Sequence, residues 1–238
     1  MHLNSDQLQA LIRLSLFFTE AVLTAVLIAW LRWRQKGPGD KWSFMFRLLF
    51  LGGAVALVCG VVELRYSIRL ADLPNDLTTH YQWYNVINFA SSALVEEVAK
   101  YAAIILVISF YPRTNKASDI LLFAILIGLG FSLVEDVLYF IVPDTIAPYR
   151  LLSFFMHAGT AAIMGGGLVR YLVQKEPYSV VVKSILSVIT LHFIYNFASQ
   201  LEHPVATWIV SGLIIAYFST QIIILFKMAL PLDGARAA

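Results

Sequence analysis

The sequence predicts an all-α fold, a polytopic transmembrane bundle of about seven helical spans, and three observations carry that prediction. Hydrophobic residues make up 59% of the 238 and charged residues 13%, and mean hydropathy is +0.75, a balance that a water-soluble domain cannot keep in solution. Charge, proline and turn residues cut the chain into apolar runs of about 20 residues, enough to cross ~30 Å of hydrocarbon. The connections between the runs are short, with no low-complexity linker or evident repeat, so 1–238 reads as one transmembrane domain.

Taken in order, the first run, 8–31, has no basic stretch before it and no small-residue cleavage site after it, and reads as a retained helix rather than a signal peptide. The second, 44–62, contains the single cysteine, Cys59. One thiol excludes an intrachain disulfide, a redox pair or a cysteine zinc site and reads as packing. The third, 82–110, and the next three, 119–142, 151–173 and 180–200, carry the polar residues discussed below. The seventh, 205–228, is mostly apolar, with Gln221 inside it and Lys227 at its end. A catalytic core over 82–200 is thus expected between flanking spans 8–31, 44–62 and 205–228.

Orientation follows from the basic residues. Arg32, Arg34, Lys36, Lys41 and Arg47 surround the first connection, Arg113 and Lys116 the third, Arg170, Lys175 and Lys183 the fifth, and Lys227 and Arg236 the tail. The other side carries Arg13, Arg65, Arg69 and Arg150, mixed with Glu63, Asp72, Asp76, Asp144 and Glu202. The bias predicts an outside N-terminus and a cytoplasmic C-terminus, in a multi-pass protein of the cell membrane. Trp30 with Trp33, Tyr81 with Trp83 and Tyr84, and Phe110 with Tyr111 suit interfacial anchoring. A net charge of +2, spread over these loops, gives no support to nucleic-acid binding.

The third span holds Glu96-Glu97-x-x-Lys100 inside an otherwise apolar stretch. Each such charge at a bilayer centre costs roughly 2.5 to 3.5 kcal/mol, so three of them imply use. On a helical wheel Asn85, Asn88, Ser92, Glu96 and Lys100 share an arc of roughly 120°, with Glu97 beside it, and this face must turn toward other helices or a wet cavity. An i to i+4 pair of Glu96 with Lys100 serving packing alone would leave Glu97 unexplained. The fourth span brings Phe131, Ser132, Glu135 and Asp136, the fifth His157 and Thr160, the sixth His192 and Asn196. Both histidine pairs keep one helical face, at i to i+3 and i to i+4. Counted inward at ~1.5 Å per residue, Glu135, His157 and His192 lie about one to two turns below the outer surface, with Glu96 and Glu97 somewhat deeper. Small residues, Gly128 and Gly130 on the fourth span and Gly159 and Gly165-Gly166-Gly167 on the fifth, allow the helices to approach.

A Glu-Glu-x-x-Lys helix, a Phe-x-x-x-Glu helix, a histidine-bearing helix and a His-x-x-x-Asn helix, in that order over roughly 85–200, resemble the PrsW family of intramembrane proteases, itself distantly related to the membrane CAAX endopeptidases. The motif positions are Glu96, Glu97 and Lys100; Phe131 and Glu135; His157; and His192 with Asn196. Asp136 departs from the pattern. The resemblance implies a membrane-anchored protein substrate, of the anti-sigma-factor kind, cut on the extracytoplasmic side. Recognition must then use loops or a groove, since no large extracytoplasmic domain is present.

The residues themselves also read as hydrolytic, because an activated water and oxyanion stabilisation are what buried carboxylates and imidazoles can supply. In a metal-free form, Glu96 or Glu97 is the general base, His192 and Asn196 polarise the scissile carbonyl, and Lys100 holds one glutamate ionised. In a zinc form, His157, His192 and one carboxylate of Glu97 or Glu135 hold the ion and Glu96 takes the proton. Lys100, Phe131, Asp136 and Thr160 are expected to support the site. Two further classes fit part of the pattern: an ion- or proton-coupled transporter, which would use the same buried groups but favours discontinuous helices in an internal repeat, and a non-catalytic relative, which favours a broken motif.

Overall fold

The computed structural model describes residues 5–34, 42–71, 81–111, 116–141, 153–198 and 204–235. These residues form seven α-helices: α1 (Ser5–Arg34), α2 (Trp42–Ala71), α3 (Tyr81–Phe110), α4 (Ala117–Ile141), α5 (Ser153–Leu172), α6 (Ser179–Ala198) and α7 (Pro204–Ala235). The seven expected runs match them one to one. Differences lie at the ends. α2 continues nine residues past the expected limit at 62, because Glu63, Arg65 and Arg69 interrupt the apolar run without breaking the backbone hydrogen bonding of a helix. α7 runs on through Pro231 to Ala235, although the proline lacks the N–H for one i to i−4 bond.

Five helices have a stretch long and apolar enough to cross a membrane: Ala10–Trp33, Trp42–Arg65, Ala117–Tyr139, Ser179–Ala198 and Thr207–Asp233. The protein is therefore a multi-pass membrane protein. α3 and α5 are not among the five. α3 carries Glu96, Glu97 and Lys100, and α5 is built from small and polar residues around His157 and Thr160. Such helices are tolerable only against protein, and α5 is buried along almost its entire length.

α4 is the hub of the bundle. Its apolar window is 83% buried, against 22% for α1, and it packs on α1, α2, α3, α5 and α7. Two of its crossings leave no room for side chains. A Cβ on Gly130 would overlap the Leu49 backbone of α2, and one on Gly52 would overlap the carbonyl of Ile127. A Cβ on Gly128 would meet the His157 carbonyl and Ala161 of α5. Backbone-to-backbone contact of this kind replaces the hydrophobic drive that lipid cannot supply between helices. It also fixes α5 against α4 at the residue that carries an imidazole.

Large apolar side chains such as Phe18, Phe50, Leu64, Leu94, Leu106 and Leu213 are exposed on the outside, as a lipid-facing surface requires. Of the expected aromatic anchors, Trp33 and Phe110 are exposed, Trp30 packs its ring on Phe226 at 6.1 Å, and Tyr111 packs on Phe44 at 4.6 Å. The side chains of Tyr81, Trp83 and Tyr84 lie outside the described residues, as do Lys36, Lys41, Asp72, Asp76, Arg113, Asp144, Arg150, Glu202 and Arg236. Between α5 and α6 a short turn places Lys175 at φ 63°. Arg170 donates there to both oxygens of Glu176, at 2.8 and 2.5 Å, and holds that carboxyl below its ordinary range.

Candidate active site

α3 turns its branched apolar side chains, Ile87, Leu94, Val98 and Leu106, outward. The same 3.6-residue period sends Ala93, Glu96, Glu97, Lys100 and Ile104 inward. Glu97 and Lys100 are fully buried and Glu96 is 4% exposed. A buried ammonium or carboxylate is strongly destabilising unless another group meets it. Each of the three is met.

Lys100 Nζ lies 2.7 Å from Glu97 Oε1 and 3.8 Å from Glu96 Oε2, so the i to i+3 partner is the closer one, not the i to i+4 partner. The ammonium also donates to His157 Nδ1 at 2.8 Å and sits 4.4 Å above the Phe131 ring, a cation over an aromatic face. Because an ammonium can only donate, His157 Nδ1 accepts, and the ring carries its proton on Nε2. That nitrogen faces Glu135 Oε2 at 2.6 Å. Phe131 packs against the same imidazole, with ring centroids 5.0 Å apart.

His192 reaches the cluster from α6. Its Nδ1 is 2.7 Å from Glu97 Oε1, so one carboxylate oxygen binds both Lys100 and His192. Its Nε2 points toward Glu96 Oε2 at 3.9 Å. The two imidazoles stand edge to face, 5.5 Å between centroids. Glu96 Oε1 accepts from Ser92 at 2.9 Å, while Glu96 Oε2 and Glu97 Oε2 are buried and make no hydrogen bond among the described residues.

Of the residues expected at the centre, Glu96, Glu97, Lys100, Phe131, Glu135, His157 and His192 come together, whereas no described contact joins Asn196 to them. The expected ligand set His157, His192, Glu97 and Glu135 falls into two contacting pairs, His157 with Glu135 and His192 with Glu97. The tightest group of metal-type donors is Glu96, Glu135 and His157, one atom from each lying within 4.8 Å of the others. Asn196 is half-buried one turn beyond His192. Two supporting residues point elsewhere. Thr160 donates to the His157 carbonyl of its own helix at 3.2 Å, and Asp136 accepts from Ser153 at 3.2 Å.

Sequence reasoning did not single out Glu63 or Glu20 as members of buried clusters. Glu63 accepts from Ser92 at 3.1 Å, which makes Ser92 a link between it and Glu96. The missed signal for Glu20 was the cost of a mid-span carboxylate, the same that marks Glu96.

Among the described residues, three carboxyl groups of the centre face one ammonium and two imidazoles. The cluster is buried except at Glu135, whose side chain is 17% exposed and forms its open edge. No curated protein and no solved structure matches the chain. A family model described as PrsW family intramembrane metalloprotease matches residues 40–228, which include α2 through most of α7 and every residue of the cluster. The chain thus belongs to the PrsW family of intramembrane metalloproteases.

Proposed function

We propose that this protein hydrolyses a peptide bond of a membrane-anchored protein at the Glu96, Glu97, Glu135, His157 and His192 cluster, reached from the extracytoplasmic side. One observation carries the reading: three helices deliver imidazoles and carboxylates onto the buried Glu-Glu-x-x-Lys face of α3, and two carboxylate oxygens there are left without a hydrogen bond. The basic-residue bias assigns the open Glu135 edge to the outer side. An anti-sigma-factor-like substrate rests on the family resemblance.

The two adjacent glutamates separate in role. Glu97 Oε1 accepts from His192 Nδ1 and from Lys100, which fixes the imidazole's tautomer and aim and leaves Nε2 directed into the site. Glu96 is held by Ser92 through one oxygen only, and its Oε2 is available to take a proton from water. With Nδ1–H given to Glu97, His192 Nε2 carries a lone pair and would donate to the oxyanion of the scissile carbonyl only after taking up a proton, while Asn196 on the same face offers an amide N–H. Lys100 lies closer to Glu97 than to Glu96, so it serves the two carboxyl groups unequally.

The donors also fit a metal ion. Two carboxylates and one imidazole within a 4.8 Å span form a nitrogen and oxygen set of the kind zinc accepts, and Glu96 Oε2 has no competing hydrogen bond. Glu96, Glu135 and His157 would hold the ion, with His192 and Glu97 beside it, and a bound zinc would polarise the carbonyl and acidify a water. For His157 to offer its Nε2 lone pair, the ring would carry its proton on Nδ1 instead, and Lys100, which now donates there, would keep Glu97 and Glu96 as acceptors.

The test is cleavage of a membrane-tethered peptide by the purified protein, with metal content measured on the same sample before and after chelation. Glu97→Ala and His192→Ala are each expected to lower turnover by about 10² to 10⁴-fold. Unchanged cleavage in both variants would remove the site, and an active, metal-free enzyme would remove the zinc form.

A further inference from the structure

Outside the cluster, the molecule buries a second set of polar side chains around α1. Glu20 lies in the middle of a helix whose apolar window is only 22% buried, yet its own side chain is 1% exposed. Ser132 of α4, fully buried, donates to Glu20 Oε1 at 2.8 Å. Ser132 Oγ is 3.5 Å from Ser153 Oγ of α5, which donates in turn to Asp136 at 3.2 Å. A peripheral helix that needed only to dock could do so with apolar residues, as α1 does elsewhere with Ile28 and Leu31. A carboxylate at that depth is costly.

The position of Ser132 gives that carboxylate a consequence. Ser132 follows Phe131, the ring that covers Lys100 and packs on His157, and precedes by three residues Glu135, which faces His157 Nε2. Ser132 and Glu135 share one side of α4. A change in the rotation of α4 that breaks the Glu20 bond therefore moves both groups at the site.

We propose that Glu20 is a positioning residue: through Ser132 it holds α4 at the rotation that presents Phe131 and Glu135 to His157. α1 ends at Arg34, ahead of the matched segment 40–228, so the catalytic helix is set from outside that segment. This rests on the hydrolytic reading above for its kinetic arm alone.

Cys59 of α2 supplies a reporter that does not depend on activity. It is the chain's single cysteine, 2% exposed, and packs in the same cluster as Phe131, Ala56 and Val134. The experiment measures kcat and KM for a tethered peptide, and the rate of Cys59 alkylation by a membrane-permeant maleimide, in the full chain. Glu20→Leu is expected to lower kcat about tenfold with KM nearly unchanged, the loss of one hydrogen bond to a charged group, and to speed Cys59 alkylation several-fold. Glu20→Gln, whose amide oxygen can still accept from Ser132, should keep both at wild-type values. Ser132→Ala should act in the same direction, and the double variant should be no worse than the worse single, as expected of groups acting through one bond. Ser132→Ala alone serves if Glu20→Leu does not fold. Wild-type kcat and wild-type labelling in Glu20→Leu, a Glu20→Gln as impaired as Glu20→Leu, or additive effects would each overturn the assignment. If the wild type cleaves no tethered peptide, the hydrolytic reading falls, and the alkylation rates alone decide whether Glu20 positions α4.

Discussion

Two polar clusters among the described residues share one helix, α4, and differ in what faces their carboxyl groups. Around Glu96, Glu97 and Glu135 the partners include an ammonium and two imidazoles beside the Ser92 hydroxyl. Around Glu20 and Asp136 they include serine hydroxyls, each of which can donate one proton and carries no charge. The first arrangement can change its proton count and still keep partners for its acids. The described contacts of the second hold its acids through neutral hydroxyls. Chemistry is expected of the first and geometry of the second, even though both cost the fold the burial of acids.

The strongest way to break that comparison is Lys100→Met. It leaves Glu97 with His192 as its remaining near partner, and removing one member of a buried ion pair costs about 3 to 5 kcal/mol. Denaturant unfolding in detergent should show that loss, and cleavage should vanish with it. Adding Glu97→Gln should return much of the stability without returning activity. If activity also returns, Lys100 and Glu97 are packing residues and the first cluster is no different from the second.

A smaller effect sharpens the other side. Ser153→Ala removes one donor to Asp136 and should lower stability by about 0.5 to 1.5 kcal/mol, while Asp136→Asn keeps an acceptor oxygen and should leave cleavage within about twofold of wild type. A large loss of turnover in Asp136→Asn would mean that the second cluster also handles charge. The smallest effect belongs to an exposed reference pair. Glu176→Gln breaks the bidentate bond to Arg170 and should leave cleavage unchanged, since exposed ion pairs contribute little. Arg170 depresses the Glu176 carboxyl, so whatever this pair adds is present above the ordinary carboxylate range and is lost as the pH falls below it. A pH profile for cleavage that followed this acid limb would assign a role to the α5–α6 turn.

Much of the active cluster was legible because helical periodicity converts spacing into direction. Glu96, Glu97 and Lys100 announced an inward face by their cost in lipid, and His192 announced another. Glu20 gave the same energetic signal, without a neighbouring charge to form a motif, and passed unremarked. Glu63 was read with the loop residues because it stands at the end of an apolar run, whereas α2 continues past it. The preference of Lys100 for Glu97 over Glu96 was not legible either, since i to i+3 and i to i+4 are both within reach on one helix.

By itself the sequence determined the seven helices, the membrane setting and which face of α3 must be buried, because hydrophobic length and the 3.6-residue repeat are local properties. Only the tertiary structure decided the pairings. Lys100 meets His157 across 57 residues of chain, His192 meets Glu97 across 95, and Ser132 meets Glu20 across 112. Such contacts depend on how each helix is rotated about its axis. For α4 that rotation is confined where it crosses α2 and α5 backbone to backbone, at Gly52, Gly128 and Gly130, with the Glu20–Ser132 bond as the proposed further hold, and no spacing within a single helix encodes it.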